Sequence, residues 1–276
     1  MTHEIKSLSL TIVGGIIVSI LISIYITARY LFSLYHLQRL LGFKFKPGTE
    51  VRIIYGQFLL PSSTGQNGRI ITHPYVKSPR RGGAMPLAGS CSIEHPVSEC
   101  EVRGSTYIAS LLGFSKNLRV LFASDIETDS ILDSNFVSLG GPGSNYKTTD
   151  ILASEENIFI RMSYNNFSLP SGGNLPFSCS READHGLILR VTPRGFPTKS
   201  WIVCAGLGEW GTSGSAWFLS HKWEELIKNI HPNAYWSGIM PIPDFCAIIR
   251  VIPGQDQSAR LAALYRNNKG QIKHVI

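Results

Sequence analysis

Two glycine-bearing runs carry the residues whose types and spacing suit ligand chemistry. Gly206, Gly208 and Gly211 fall in G-x-G-x-x-G spacing, followed at once by Thr212, Ser213 and Ser215. A strand that turns through such glycines into a helix start lets backbone approach a ligand closely. The first-turn N–H groups, with the positive end of the helix dipole behind them, then point at an anion. The hydroxyls add donors, and Thr212 or Ser213 suits the N-cap. The competing reading of the same glycines is a tight turn with close strand–helix packing and no ligand. The second run is Gly140-Gly141-Pro142-Gly143-Ser144-Asn145, again between an apolar strand pattern and a short helix. Two such loops at strand ends would face one crevice of an α/β sheet. Ser144 and Asn145 also suit a purely local role, as cap and left-handed turn residue.

Acidic residues stand where such a crevice would use them. Asp125 and Glu127 follow the strand-like Arg119–Ala123, and an acid at the carboxyl end of a strand is placed to bind a ribose hydroxyl or a metal. Asp125 is assigned the sugar contact. Glu209, inside the glycine loop, would position water or a sugar hydroxyl, or would simply complement the helix dipole. Glu209 and Asp125 are thus the two catalytic candidates, with whether there is catalysis left open. The acid expected about 20 residues beyond a dinucleotide loop is missing from residues 229–241, so ordinary NAD binding is not supported.

Other chemistries find little footing. There is no H-E-x-x-H, no G-x-S-x-G elbow and no G-x-x-x-x-G-K-[ST]. Ser213 and Ser215 have no sequence-visible base, Asp184-His185 reads either as an acid–base pair or as solvated residues, and His221 falls on a polar helix face. The five cysteines form no C-x-x-C pair and are odd in number, against both a disulfide framework and a zinc knuckle. No metal site and no cofactor is assigned. Arg80-Arg81-Gly82-Gly83 reads as a phosphate contact or as a solvated basic loop.

The elements that would position these residues follow from hydrophobic period. Strands are expected at Val51–Tyr55, Arg119–Ala123, Phe136–Leu139, Ile158–Met162, Leu187–Val191, Trp201–Ala205 and Phe245–Val251. Helices are expected at Ser105–Phe114 and Lys147–Leu152, and as one helix from Thr212, with Ala216, Leu219, Trp223, Leu226, Ile227 and Ile230 on a single stripe. Leu261, Leu264 and Tyr265 predict a short amphipathic helix within Asp256–Asn267. Residues 61–100 and 163–186 read as long irregular excursions. The order implies an α/β fold, Rossmann-like, with a mostly parallel sheet and flanking helices over residues 51–276.

A separate segment precedes that domain. Leu8 to Thr27 is apolar, carries no charge and has the length that spans a bilayer. Its apolar stretch is too long, and Tyr25–Tyr30 too poor a cleavage site, for a signal peptide. Residues 1–30 are therefore read as an uncleaved single-span anchor and residues 31–50 as a juxtamembrane helix and linker. Basic residues Arg29, Arg39, Lys44 and Lys46 follow the span, which places the domain in the cytoplasm. Residues 1–81 hold 10 Lys/Arg against 2 Asp/Glu, whereas residues 82–276 hold 16 against 17. The formal +7 is thus set beside the membrane, where cations meet anionic head groups. Long-duplex nucleic acid is excluded as a partner on the same ground. Gly14-Gly15, Ser19 and Ser23 would allow close approach of two such helices in a homo-oligomer.

The loop Gly140–Asn145, taken with Gly186–Arg190 and Ala205–Thr212, resembles an uncharacterised prokaryotic α/β family with a GGP-x-x-N loop and an AG-x-x-G-x-GT loop. Gly206, Gly211 and Thr212 match the second pattern and Gly208 departs from it. The resemblance covers residues 136–230 and implies two clustered loops without an activity. The expectation is a membrane-anchored α/β domain that senses a nucleotide or similar phosphate-bearing small molecule. Its ligand residues would be Gly140, Gly141, Gly143, Ser144, Asn145, Gly206, Gly208, Gly211, Thr212, Ser213 and Asp125. A hydrolase or transferase on a nucleotide-like substrate and a non-catalytic membrane scaffold are the alternatives.

Overall fold

Strands apolar on both faces must be covered on both faces, and several of this chain's strands are of that kind. The computed structural model describes residues 2–59, 76–77, 97–163, 166–232, 242–268 and 271–275. Arg80-Arg81-Gly82-Gly83 and Cys91 lie outside them. In chain order the elements are α1 (Thr2–Leu41), β1 (Thr49–Tyr55), β2 (Phe58–Leu59), β3 (Val76–Lys77), α2 (Glu99–Leu112), β4 (Leu118–Ser124), β5 (Asn135–Leu139), α3 (Tyr146–Ala153), β6 (Arg161–Met162), β7 (Phe167–Ser168), β8 (Asp184–Val191), β9 (Trp201–Gly206), α4 (Glu209–His221), α5 (Trp223–Ile230), β10 (Phe245–Ile252), β11 (Gln255–Asn268) and β12 (Gln271–His274). An eight-stranded sheet runs in the order β12-β11-β10-β8-β9-β5-β1-β4. Every residue of β5 and β9 is buried. On one face Val137, Ile188, Ile202 and Cys204 meet the end of α1, α2, α4 and α5. On the other, Phe136, Leu187, Leu189 and Val203 meet α3 and the segment around Phe159 and Phe167.

The mostly parallel, Rossmann-like sheet is not what forms. β4, β1, β5 and β9 pair in parallel, but β9–β8, β8–β10, β10–β11 and β11–β12 are antiparallel. The fold is a mixed α/β sheet. A parallel neighbour needs a crossover back to the same edge, and the connection from β8 to β9, Thr192–Ser200, has no helical segment to provide one.

Three local readings also change. The expected C-terminal helix is strand β11, paired along β10 and β12. Its register slips between Ile248 and Ile249, so Leu261 and Leu264 face one core while Ala263 and Tyr265 face the other. The bulge inserts one residue and turns a two-residue period into an apparent helical one. The helix expected from Thr212 to Ile230 is two helices, broken at Lys222 (φ −120°, ψ 18°). Of Ile158–Met162 only Arg161–Met162 is strand; Ile158 to Ile160 is buried or partly buried loop.

Helix α1 is 40 residues long, about 60 Å. It contains the one stretch among the described residues long and apolar enough to cross a membrane, Gly15–Leu41, with mean hydropathy 1.9. Its end packs into the domain. Leu37, Leu40, Leu41, Phe43 and Phe45 are all buried in the domain core, so the end of α1 and the domain share one hydrophobic interior. Gly42, at φ +80°, stops the helix with its N–H on the Gln38 carbonyl at 2.9 Å. The Arg190 guanidinium, on β8, donates to the last-turn carbonyls of Arg39 and Leu40, both at 2.9 Å, and to Ile242 O at 2.6 Å.

Candidate functional site

Helix α4 begins earlier than its hydroxyls suggested, with Gly208 as N-cap. Thr212, Ser213 and Ser215 therefore lie inside the helix and are buried. The turn into α4 is already supplied with an anion by the chain itself. Asp184, fully buried at the start of β8, accepts from Gly208 N (3.0 Å) and His185 N (2.7 Å) through Oδ1 and from Gly211 N (2.6 Å) through Oδ2. A side chain from a neighbouring strand thus does what an N-cap residue would do.

Close packing accounts for the glycine spacing. A Cβ on Gly206 would sit 2.3 Å from Gly208 O, and one on Gly211 would sit 2.5 Å from His185 O. Opposite them, a Cβ on Gly186 would sit 2.1 Å from Gly211 O. The first turn of α4 therefore rests directly on the backbone of β8 and β9. Gly186→Ala is expected to lower stability by about 2 kcal/mol, the cost of overpacking a tight contact, read as a fall in the thermal midpoint. An unchanged midpoint would show that the contact relaxes freely.

The other acids are similarly occupied. Asp125 is fully buried, accepts from Gln57 N (3.1 Å) and Tyr146 N (2.7 Å), and does not line the cleft. It ties the loop after β1 to the start of α3. Glu127 closes a reciprocal turn with Ser124. Asn145 is extended (φ −139°), caps α3 through Thr148 N (3.1 Å), and donates to Leu139 O and Ile54 O. It holds β1 and β5 together at their carboxyl ends. Of that loop's glycines only Gly140 has positive φ, at 104°.

What remains open is a cleft of about 290 Å³ over the carboxyl ends of β5 and β9. The two glycine loops do meet there: a Cβ on Gly141 would sit 3.1 Å from Gly206 O. Gly141, Gly143, Ser144, Gly206, Gly208, Glu209 and Thr212 line it, whereas Gly140, Asn145, Gly211, Ser213 and Asp125 do not. Sequence reasoning missed Cys100 and Glu101, in the first turn of α2, and Phe58 and Met162. The signal for the first two was Ser98-Glu99-Cys100-Glu101, a serine before acids that fit a first helical turn. Glu101 is buried, accepts from Gly56 N at 2.6 Å and points its other oxygen at Gly140. No Lys or Arg lines this cleft among the described residues.

Behind the lining lies a polar cluster. Asp256 accepts from Ser213 Oγ (2.6 Å) and Tyr107 Oη (3.0 Å) and pairs with Arg103 Nε (3.2 Å). Arg103 also covers the Trp210 ring at 4.1 Å and donates to Cys100 Sγ at 3.2 Å. Ser213 thus serves a buried carboxylate and is not a nucleophile beside a base. Asp184 and His185 are not an acid–base pair either, since the His185 ring meets Ser178 O (2.7 Å) and Phe177 (5.2 Å) instead. His221 stacks on Trp217 at 4.8 Å.

Burial pushes the Cys100 thiol up to about 12, against the pull of Arg103. A raised thiol pKa means the neutral form at every physiological pH. At pH 8 iodoacetamide is expected to label Cys100 about a thousandfold more slowly than an ordinary thiol, which peptide mass mapping would read. Cys100, Cys179, Cys204 and Cys246 are free, and no group of His, Cys, Asp or Glu suits a metal ion among the described residues.

Comparison with family models, with curated proteins and with solved structures gives no match, so the site has to be read from its own chemistry. By class this is a mixed α/β domain carried on an N-terminal helix long enough to span a bilayer, with a cleft at the carboxyl ends of its central strands.

Proposed function

We propose that the chain is a single-pass membrane protein whose cytoplasmic α/β domain binds a nucleotide-like small molecule by its hydroxyl-bearing, sugar half. The observation that carries this reading is the cleft where the loops at 140–145 and 206–213 face each other. It lies at the carboxyl edge of the parallel strands, beside the point where β4 and β5 diverge to opposite sides of β1, the place where open α/β sheets take ligands. The carboxylates of Glu101 and Glu209 suit hydroxyl or amino donors. They do not suit a phosphate: an anionic charge about 5 Å from buried Glu101 would be disfavoured by about 3 kcal/mol at an effective dielectric constant near 20. The basic residues that follow the span support the cytoplasmic side. Hydrolysis or transfer would fall to Glu209, which is exposed in the cleft, and not to Asp125.

The test is a ligand screen on the full chain in phosphatidylcholine nanodiscs, because a fragment starting near Lys44 would lose Leu37, Leu40, Leu41 and Phe43 from the core. Nucleosides and sugars should raise the thermal midpoint, by an amount equivalent to about 2.7 kcal/mol at 100 times Kd. Their nucleotides should do no better. Glu101→Gln and Glu209→Gln should each weaken binding about tenfold, as expected for the loss of one charged hydrogen bond. Binding of nucleotides alone, through their phosphates, would overturn the ligand class. The absence of any shift would favour a scaffold.

A further inference from the structure

The amino-terminal edge of the same sheet carries the opposite chemistry. A groove of about 1030 Å³ opens there, walled by the last turns of α1, the segment leading into β1, the start of β5 and the turn before β9. Six cations line it, Arg39, Lys44, Lys46, Arg52, Arg190 and Lys199, against two carboxylates, Glu50 and Asp133. Those carboxylates are already engaged: Glu50 with Arg52 at 2.5 Å and Asp133 with Lys199 at 3.2 Å. Arg190 is buried against Asp244 at 3.3 Å. Lys44 and Lys46 are exposed and enter no ion pair among the described residues. Ser134, on the groove wall, is buried with a hydroxyl that has no hydrogen-bond partner among the described residues. A concave surface lined by one sign of charge concentrates counter-ions far more than scattered surface lysines do.

The groove also stands close to where the apolar stretch of α1 ends. The Tyr30 ring stacks on Phe114 at 5.4 Å and its hydroxyl donates to Phe114 O at 2.9 Å, so the turn between α2 and β4 sits where the apolar span ends. Gln38 and Arg39, on the groove wall, stand about 14 Å further along the helix from Arg29 at 1.5 Å per residue. The polar layer of one leaflet is about 5–7 Å thick. The groove mouth therefore lies within about one Debye length of that layer.

We infer that this groove binds a phosphate-bearing group at the membrane-proximal edge of the domain, with Lys44 and Lys46 supplying the uncompensated charge. The group comes either from an anionic lipid headgroup of the bilayer that α1 crosses or from a soluble phosphate. The inference is independent of the ligand proposed for the cleft at the opposite edge.

The test is the thermal midpoint of the full chain in three settings: phosphatidylcholine nanodiscs, phosphatidylcholine nanodiscs with inorganic phosphate added, and nanodiscs of phosphatidylcholine mixed with phosphatidylglycerol. Binding at 100 times Kd should raise the midpoint by about 5 °C or more. A shift with phosphatidylglycerol alone identifies the headgroup, and a shift with inorganic phosphate in neutral nanodiscs identifies a soluble source. Lys44→Glu combined with Lys46→Glu should remove at least half of the shift, while Lys116→Glu, a charge reversal on the exposed turn beside Phe114, should leave it intact. If the reversed pair fails to fold, Lys44→Gln with Lys46→Gln keeps the comparison. No shift in either anionic setting, or equal loss in Lys116→Glu, would overturn the inference.

Discussion

Replacing Arg190 with methionine is expected to destabilise the domain by about 4 kcal/mol, the range found when one member of a buried charged network is removed. A loss of that size would lower the thermal midpoint by about 10 °C. Arg190 is 4% exposed, and its guanidinium donates to the carbonyls of Arg39, Leu40 and Ile242. Burial lowers its pKa, and Asp244 opposes that shift. Asp244 would keep the Thr192 N–H at 3.1 Å and the Thr192 hydroxyl at 2.9 Å after the substitution. The loss therefore falls on the three carbonyls, two of them at the end of α1, where a cation also complements the helix dipole. Arg190→Lys should recover less than half, because a point-like ammonium cannot reproduce the planar fork that reaches α1 and Ile242 at once. Limited proteolysis would give a second readout: cleavage between Gly42 and Gly48 should quicken once the end of α1 is released. A midpoint within about 1 °C of the parent would show that Arg190 does not join the helix to the sheet.

Asp184→Ala is expected to cost about 3 kcal/mol, since it strips the acceptor from Gly208 N, Gly211 N and His185 N together. The variant leaves the amides of Gly208 and Gly211, at the start of α4, facing a carboxylate-sized void at the positive end of the helix dipole. Formate or acetate should then raise the thermal midpoint of Asp184→Ala and leave the parent protein unchanged. Asp184→Asn, which keeps one carbonyl oxygen, should fall between the two. This experiment bears directly on the glycine loop. In the parent its anion is part of the chain; in the variant the same loop should become a binding site for a small anion. A variant as stable as the parent, or one indifferent to formate, would show that the amides do not depend on this carboxylate.

The pair of predictions locates what joins the molecule. Arg190 fixes the end of α1 to the amino-terminal edge of the sheet, and Asp184 fixes the turn that opens the cleft at the other edge. Both are charged residues on β8, an antiparallel strand inserted between β9 and β10. In a strand read only as an apolar run, Leu187–Val191, neither role is visible.

The chain's own residues determine its local elements wherever one period dominates. Leu8–Thr27 announces a long apolar helix by its composition alone, and Phe136–Leu139, Trp201–Ala205 and Phe245–Val251 announce buried strands because every side chain except Arg250 is apolar or small. The two glycine loops were legible as turns at strand ends, and the structure brings them to one cleft. Their partners were not. Asp184 lies 24 residues before the amide of Gly208 that it satisfies, Asp125 reaches Gln57 across 68 residues, and Glu101 reaches Gly56 across 45. A glycine loop aimed at an external anion and one capped by an internal carboxylate have the same local sequence. Which of them forms depends on whether a distant strand carries an acid to that spot. The same holds for sheet direction, set by how the chain returns to the sheet, and for β11, whose bulge imitates a helical period. Pairing across a sheet is a contact between remote residues, and only the folded chain decides it.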